Sequence, residues 1–237
     1  MTKLTVFRIR HLMITRSAES LSRVKALRPW LMQRFIADLQ DLNDALRPTE
    51  LDGHYWVWSG LLLGWARDGA VLPHDCLDAD FAVADRDYHR LVEAVPAIMR
   101  AGFRCDRRFV NSAGQVTELT FLRHGARFEF FRMFPSDGRL RYFMYSIKLK
   151  EITEVEAFVP EQETVPFSFL GRTWLKPKDH ALELRSVYGS WEVPDPSWSY
   201  LDTLDLEARR VSPYPHFDWR DGTAALTEDP GKHPSAH

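Results

Sequence analysis

Apolar residues recur at helical spacing after Pro29. Leu31, Phe35, Leu39, Leu42 and Leu46 fall on one face, with Arg34, Asp38, Asp41 and Asp44 elsewhere. The pattern predicts a packing helix. Pro29 suits its first turn, where the missing N–H would be unpaired anyway, and Pro48 and Gly53 end it. Upstream, Ser17 to Leu27 predicts a first helix, and residues 1–16 read as an edge strand or a loose arm. The period then changes: His54 to Trp58 is dense in aromatics and valine and predicts a buried strand. Gly60 to Arg67 predicts a short helix, a loop broken by Gly69 and Pro73 follows, and Ala79 to Ala84 predicts a second strand.

Helical spacing returns with Leu91, Val95 and Ile98; Asp87 is placed to cap that helix, Pro96 to kink or break it, and Gly102 to stop it. The next segment is β-rich. Thr117 to Arg123 and Arg127 to Phe134 predict a hairpin joined by His124, Gly125 and Ala126. On its second strand Phe128 and Phe130 face one way, and Arg127, Glu129 and Phe131 the other. Leu140 to Lys148 predicts a strand behind an Asp137–Gly138 turn, Val165 to Leu170 a short strand turned by Gly171 and Arg172, and Asp179 to Val187 a helix ending at Tyr188 and Gly189. Beyond Trp191 the chain is rich in Pro, Trp and acids and is expected to wrap the surface, with Gly231 to His237 disordered.

A length of 237 residues with 45% hydrophobic and 13% aromatic side chains suits a single domain with a substantial core and terminal extensions. A net charge of -2 exerts no global pull toward nucleic acid or membrane. Locally, Met1 to Arg28 carries seven Lys or Arg against the single acid Glu19. That flank could meet an anionic surface; a solvated basic flank is the simpler reading. The two cysteines, Cys76 and Cys105, have no metal-ligand spacing and imply no disulfide framework. There is no apolar run of about 20 residues and no signal-peptide pattern, so the expected compartment is the cytoplasm, with membrane contact at most peripheral.

The chemistry concentrates in Asp78 and Asp80. At i and i+2 on a strand they share a face, and like charges held that close call for a cation. With Glu129 from a neighbouring strand they would form an oxygen-ligand site for Mg²⁺ or Mn²⁺, as used in phosphoryl or nucleotidyl transfer. Ser59 and Gly60, at a strand-to-helix turn, offer backbone N–H groups to a phosphate, and Arg67 offers charge. Simpler readings stand beside these: a D-x-D at a strand end is common, Gly60 and Gly64 could be packing glycines, Glu129 could face solvent, and Asp75 could be a plain loop acid. Cys76 lacks a partner base at any informative spacing, and His180 reads as structural.

Ser59 to Asp80 resembles the signature of the LicD and fukutin-related family, approximately G-G-[ST]-L-L-G-x-x-R-x-G-x-x-I-P-W-D-x-D-x-D. Ser59 and Gly60 stand on the paired small residues, Leu62, Leu63 and Gly64 on L-L-G, Arg67 and Gly69 on R and G, Leu72 and Pro73 on I-P, and Asp78 and Asp80 on the two carboxylates. Arg127 to Phe134 is similar to the family's later strand, with Glu129 where Asp is usual. Pro177 through Tyr188, Gly189, Trp191 and Pro194 is similar to its closing block. The chain departs from the pattern in Ser59 for Gly, in Asp68 where a basic residue is common, in His74 for Trp, and in one extra residue between Pro73 and Asp78. The resemblance implies a nucleotidyltransferase-like α/β (α+β) fold, a mixed sheet flanked by helices. It implies a catalytic domain over 29–200 between an N-terminal arm and helix (1–28) and a C-terminal extension (201–237). It further implies transfer of a phospho-alcohol such as phosphocholine, ribitol phosphate or glycerol phosphate from a CDP-activated donor to a sugar hydroxyl of a glycan or glycolipid. Asp78, Asp80 and Glu129 would hold Mg²⁺ and serve catalysis, and Ser59, Gly60, Arg67 and Asp75 would bind substrate. Two other functions share these residues: a nucleotidyltransferase moving NMP, and an inert glycan- or nucleotide-binding relative.

Overall fold

The computed structural model describes residues 27–73, 77–146, 153–198, 210–211 and 217–218. The helix expected from Ser17, the arm before it, Asp75, Cys76 and the tail after Gly231 lie outside these residues. In chain order the elements are α1 (Arg28–Leu46), β1 (Tyr55–Val57), α2 (Ser59–Asp68), β2 (Asp78–Ala84), a 3-10 turn (Asp85–Asp87) and α3 (Tyr88–Arg100). Strands β3 (Arg104–Val110), β4 (Val116–Arg123), β5 (Ala126–Ser136), β6 (Arg139–Ser146), β7 (Thr153–Pro160), β8 (Thr164–Phe169) and β9 (Arg172–Pro177) follow, then α4 (His180–Tyr188), β10 (Arg210–Val211) and β11 (Phe217–Asp218). The fold is the expected α/β domain. Among the described residues its main sheet has nine strands and is mixed, and β8 and β9 form a separate hairpin.

The sheet is organised around β5. Its first part pairs antiparallel with β4 and parallel with β2, and its end turns away to pair with β6. A parallel neighbour needs a crossover, and here α3, β3 and β4 supply it. Alternation sorts the side chains onto two faces. Ala79, Phe81 and Val83 of β2, Phe128 and Phe130 of β5, and Leu119 and Phe121 of β4 pack with Phe35, Leu39 and Leu42 of α1 and Leu91, Val95 and Ile98 of α3. Phe81 stacks on Phe130 at 5.0 Å between centroids and on Trp174 at 5.8 Å, tying both strands and β9 into the core. The opposite face carries Ala82, Phe131 and Met133 in a second apolar cluster with Trp56, Trp58, Tyr142 and Val159. That second face holds the site.

Strands β3, β7 and β9 were not foreseen, because each buries charge. β3 reads Arg-Cys-Asp-Arg-Arg-Phe-Val, β7 contains the buried Glu154 and β9 the buried Lys176. Glu154 is satisfied by the Ser112 N–H at 2.8 Å and its hydroxyl at 3.0 Å. Lys176 Nζ donates to the Pro177 carbonyl at 3.3 Å. Two expectations about α3 are corrected. Asp87 accepts no capping hydrogen bond; its carboxylate is taken by Arg90 at 3.1 Å and His54 at 3.1 Å. Pro96 does not break the helix, which runs on to Arg100. The β4–β5 connection is two residues, not three: His124 and Gly125 both adopt positive φ (50° and 86°), as a twisted two-residue hairpin turn requires. No helix among the described residues is long and apolar enough to cross a membrane.

Candidate metal and phosphate site

The parallel pairing of β2 and β5 sets Asp78 level with Arg127 and Asp80 level with Glu129. Since residues of matched register point the same way, all four side chains rise from the same face, opposite the Phe81–Phe130 stack. One ligand atom from each of Asp78, Asp80 and Glu129 lies within 4.8 Å of the others. Three convergent carboxylates from rigid strands are a donor set suited to a hard divalent cation. Register is what makes the site. Asp75 falls outside the described residues.

Two guanidinium groups enter this cluster. Arg127 Nη2 donates to Asp78 Oδ2 at 2.6 Å, and its Nη1 stands 3.7 Å from Glu129 Oε1. Asp78 beside it, with Glu129 second, holds the Arg127 pKa above the ordinary arginine range. Arg107 of β3 donates from Nη2 to the same Glu129 Oε1 at 2.7 Å. Behind them Glu118 of β4 is buried and accepts from the Thr120 hydroxyl at 2.8 Å. Burial first, and the neighbouring Glu129 charge second, push the Glu118 carboxyl well up.

The rim comes from the strand-to-helix turn. The Trp58 N–H donates to the Asp80 carbonyl at 3.1 Å, which fixes the start of α2 against the carboxylate strand. Leu62 is the first residue whose N–H reaches back to Trp58, so the N–H groups of Ser59, Gly60 and Leu61 have no intrahelical acceptor and are available to an anion. Ser59 adopts φ +49°, a conformation that favours glycine, which explains the small residue at this position; its hydroxyl lies 3.0 Å from the Tyr188 hydroxyl at the end of α4. Gly64 is a close-approach glycine: a Cβ there would sit 2.5 Å from the Ala70 carbonyl oxygen, where the chain folds back over α2. Arg67 closes the same helix, its Nε 3.3 Å from Asp68.

Ser59, Gly60, Arg67, Asp78, Asp80 and Glu129 all line one cavity of about 870 Å³. The expected site residues that are described therefore come together. The chain pattern did not announce the cavity's aromatic wall. Trp58 meets Phe131 and Tyr142 edge-on, each at 4.8 Å, and Tyr188 packs on Trp198 at 4.6 Å. These residues lie between β1 and α2, on β5 and β6, at the end of α4 and in the segment after it, so nothing short of the tertiary fold assembles them. Arg127 was the one missed polar residue with a signal, two positions before Glu129 on the same strand face. His180 stands outside the cavity lining, with Nδ1 3.2 Å from Lys176 Nζ and its ring edge-on to Trp65 at 5.0 Å. Burial and the Lys176 charge lower its pKa, in keeping with a structural role.

No curated protein matches the chain. The family description "LicD/FKTN/FKRP, nucleotidyltransferase domain" matches residues 53–171, from just before β1 to the β8–β9 turn. The match contains all three carboxylates, the strand-to-helix turn and both arginines of the cluster, while α4 and the closing block lie beyond it. The family implies phosphotransferase-type chemistry on glycans and is typically metal-dependent, and the carboxylate geometry agrees with that. With half of its length so matched, the chain belongs to the LicD/FKTN/FKRP family of nucleotidyltransferase-fold transferases.

Proposed function

We propose that this domain is a Mg²⁺- or Mn²⁺-dependent phosphotransferase that moves a phospho-alcohol from a CDP-activated donor to a sugar hydroxyl of a glycan or glycolipid precursor. The observation that carries this reading is the convergence of Asp78, Asp80 and Glu129 to within 4.8 Å on the floor of a cavity rimmed by a helix N-terminus. Those three carboxylates would hold the metal, which when bound supplies charge neutralisation on the transferring phosphate. The N–H groups of Ser59 and Gly60, with Arg67, would orient the donor's diphosphate, because a helix start and a guanidinium both favour anions. The aromatic side chains Trp58, Phe131 and Tyr142 line the same cavity and would limit water around the reacting groups once a donor is bound. Asp75, in the loop between Pro73 and Asp78, is proposed as a further substrate contact. The basic flank 1–28 would serve a glycolipid acceptor at an anionic surface.

The test is ³¹P NMR of the protein with Mg²⁺ and a panel of CDP-linked alcohols. Metal-dependent formation of CMP is expected, with loss of at least about two orders of magnitude in Asp78→Asn. Pyrophosphate release from CTP with a nucleotide-labelled product would instead establish NMP transfer. Binding of the nucleotide without turnover of any donor would establish an inert relative.

A further inference from the structure

Arg127 lies across the carboxylate cluster in a way that Arg107 does not. Its fork bridges Asp78, at 2.6 Å, and Glu129, at 3.7 Å, two of the three groups that would have to converge on one cation. Arg107 reaches only Glu129 of the three, at 2.7 Å; its side chain is 5% exposed and its guanidinium packs 5.2 Å over Phe109. Arg127 is less confined, with 20% of its side chain exposed. The two arginines thus have different parts. Arg107 holds Glu129 alone, whereas Arg127 spans two of the three carboxylates.

We propose that Arg127 is a built-in competitor for the divalent ion: its guanidinium must leave Asp78 for the metal site to form, and on leaving it is freed to pair with the donor's phosphate. The inference rests on the metal-site reading above. Charge carries it. Among the described residues Arg127 pairs with Asp78 and Arg107 with Glu129, so two of the three carboxylates already have a guanidinium partner before any ion arrives. A divalent ion added beside an undisplaced Arg127 would meet a like charge held on its own ligands. Arg127 is not itself part of the cavity lining, but Asp78 and Glu129, the two carboxylates it touches, both are, so a guanidinium released from Asp78 starts beside the cavity that also holds the Ser59–Gly60 turn. Weak capture of the ion alone and tight capture of ion and diphosphate together then follow from one side chain.

The experiment is a Mn²⁺ titration followed by electron paramagnetic resonance of the free ion, with and without pyrophosphate, on the whole protein. Arg127→Gln is expected to bind Mn²⁺ alone at least ten-fold more tightly than the wild type and to lose most of the enhancement that pyrophosphate gives the wild type. Arg127→Lys, which keeps the charge but cannot bridge both carboxylates, is expected to fall between them. It also keeps the proposal testable if the Gln variant does not fold. Weaker Mn²⁺ binding in Arg127→Gln would make Arg127 a support for the carboxylates and overturn the proposal, as would unchanged binding. No Mn²⁺ binding by any variant, wild type included, would overturn the metal-site reading itself.

Discussion

Glu183 sits on α4 with 3% of its surface exposed, and its Oε1 has no hydrogen-bond partner among the described residues. Burial raises its pKa from 4.5 to about 8, so the folded protein keeps a proton that the unfolded chain releases above pH 4.5. The resulting stability is full below pH 4.5 and is lost as pH rises from there through 8, amounting to up to roughly 5 kcal/mol for this one group. Urea unfolding at intervals from pH 5 to 9 should therefore show stability falling with pH, and Glu183→Gln should flatten that slope. An unchanged slope would mean that Glu183 is ionised in the fold. Ser59 shows the same kind of local cost at the site. It holds a left-handed backbone that glycine adopts freely, and its hydroxyl is tied to Tyr188, so this departure from the family's usual glycine adds a bond between α2 and α4.

At the scale of elements, α2 matters for where it puts its ends. Its start is fixed beside Asp80, whose carbonyl accepts from the Trp58 N–H, and its middle lets the returning chain pass close enough to reach β2. The second condition depends on Gly64, whose neighbours across the gap are the backbone carbonyl of Ala70 at 2.5 Å and the backbone nitrogen of Leu72 at 3.1 Å. Backbone cannot rotate away as a side chain can. Gly64→Ala is expected to cost about 2–3 kcal/mol and to lower the melting temperature by roughly 5–10 °C, measured by calorimetry. A melting temperature within a degree of wild type would show that the loop shifts freely, and with it the approach to Asp78. Strand β5 is the other element on which the site depends. By exchanging β4 and β2 for β6 along its length it sets Glu129 against Asp80 while carrying Phe131 into the aromatic wall.

At the scale of the molecule, the cavity lies where α2, α4, the segment after α4 and one sheet face meet, so a ligand there touches parts of the chain far apart in sequence. A ligand that binds only the folded state adds about 2.7 kcal/mol of stability at a hundred times its Kd. Mg²⁺ with CDP at that excess should raise the melting temperature by roughly 5–10 °C, and Asp80→Asn should abolish the rise. CDP alone raising it as much would place the nucleotide away from the carboxylates.

Much of this site could be read along the chain. Residues 59–68 carry their pattern locally, because a small-residue turn and a short helix fix which of their side chains stand near one another. Period-two alternation likewise placed Asp78 with Asp80, and Arg127 with Glu129 and Phe131, on shared faces. It could not say which strands are neighbours. That Asp80 faces Glu129, that Arg127 closes on Asp78 and that Arg107 reaches in from β3 are matters of register between strands up to about 50 residues apart, and register is set by the packing of Phe81, Phe128 and Phe130 on the far face. The charged strands β3, β7 and β9 escaped for a related reason, since a buried charge reads as surface until its partner is known. The sequence by itself determined the carboxylates and the small-residue turn that opens α2, which are local chemistry. Only the tertiary structure decided what neutralises those carboxylates and what walls the cavity, because pairing and exclusion of water are properties of side chains brought together from distant strands.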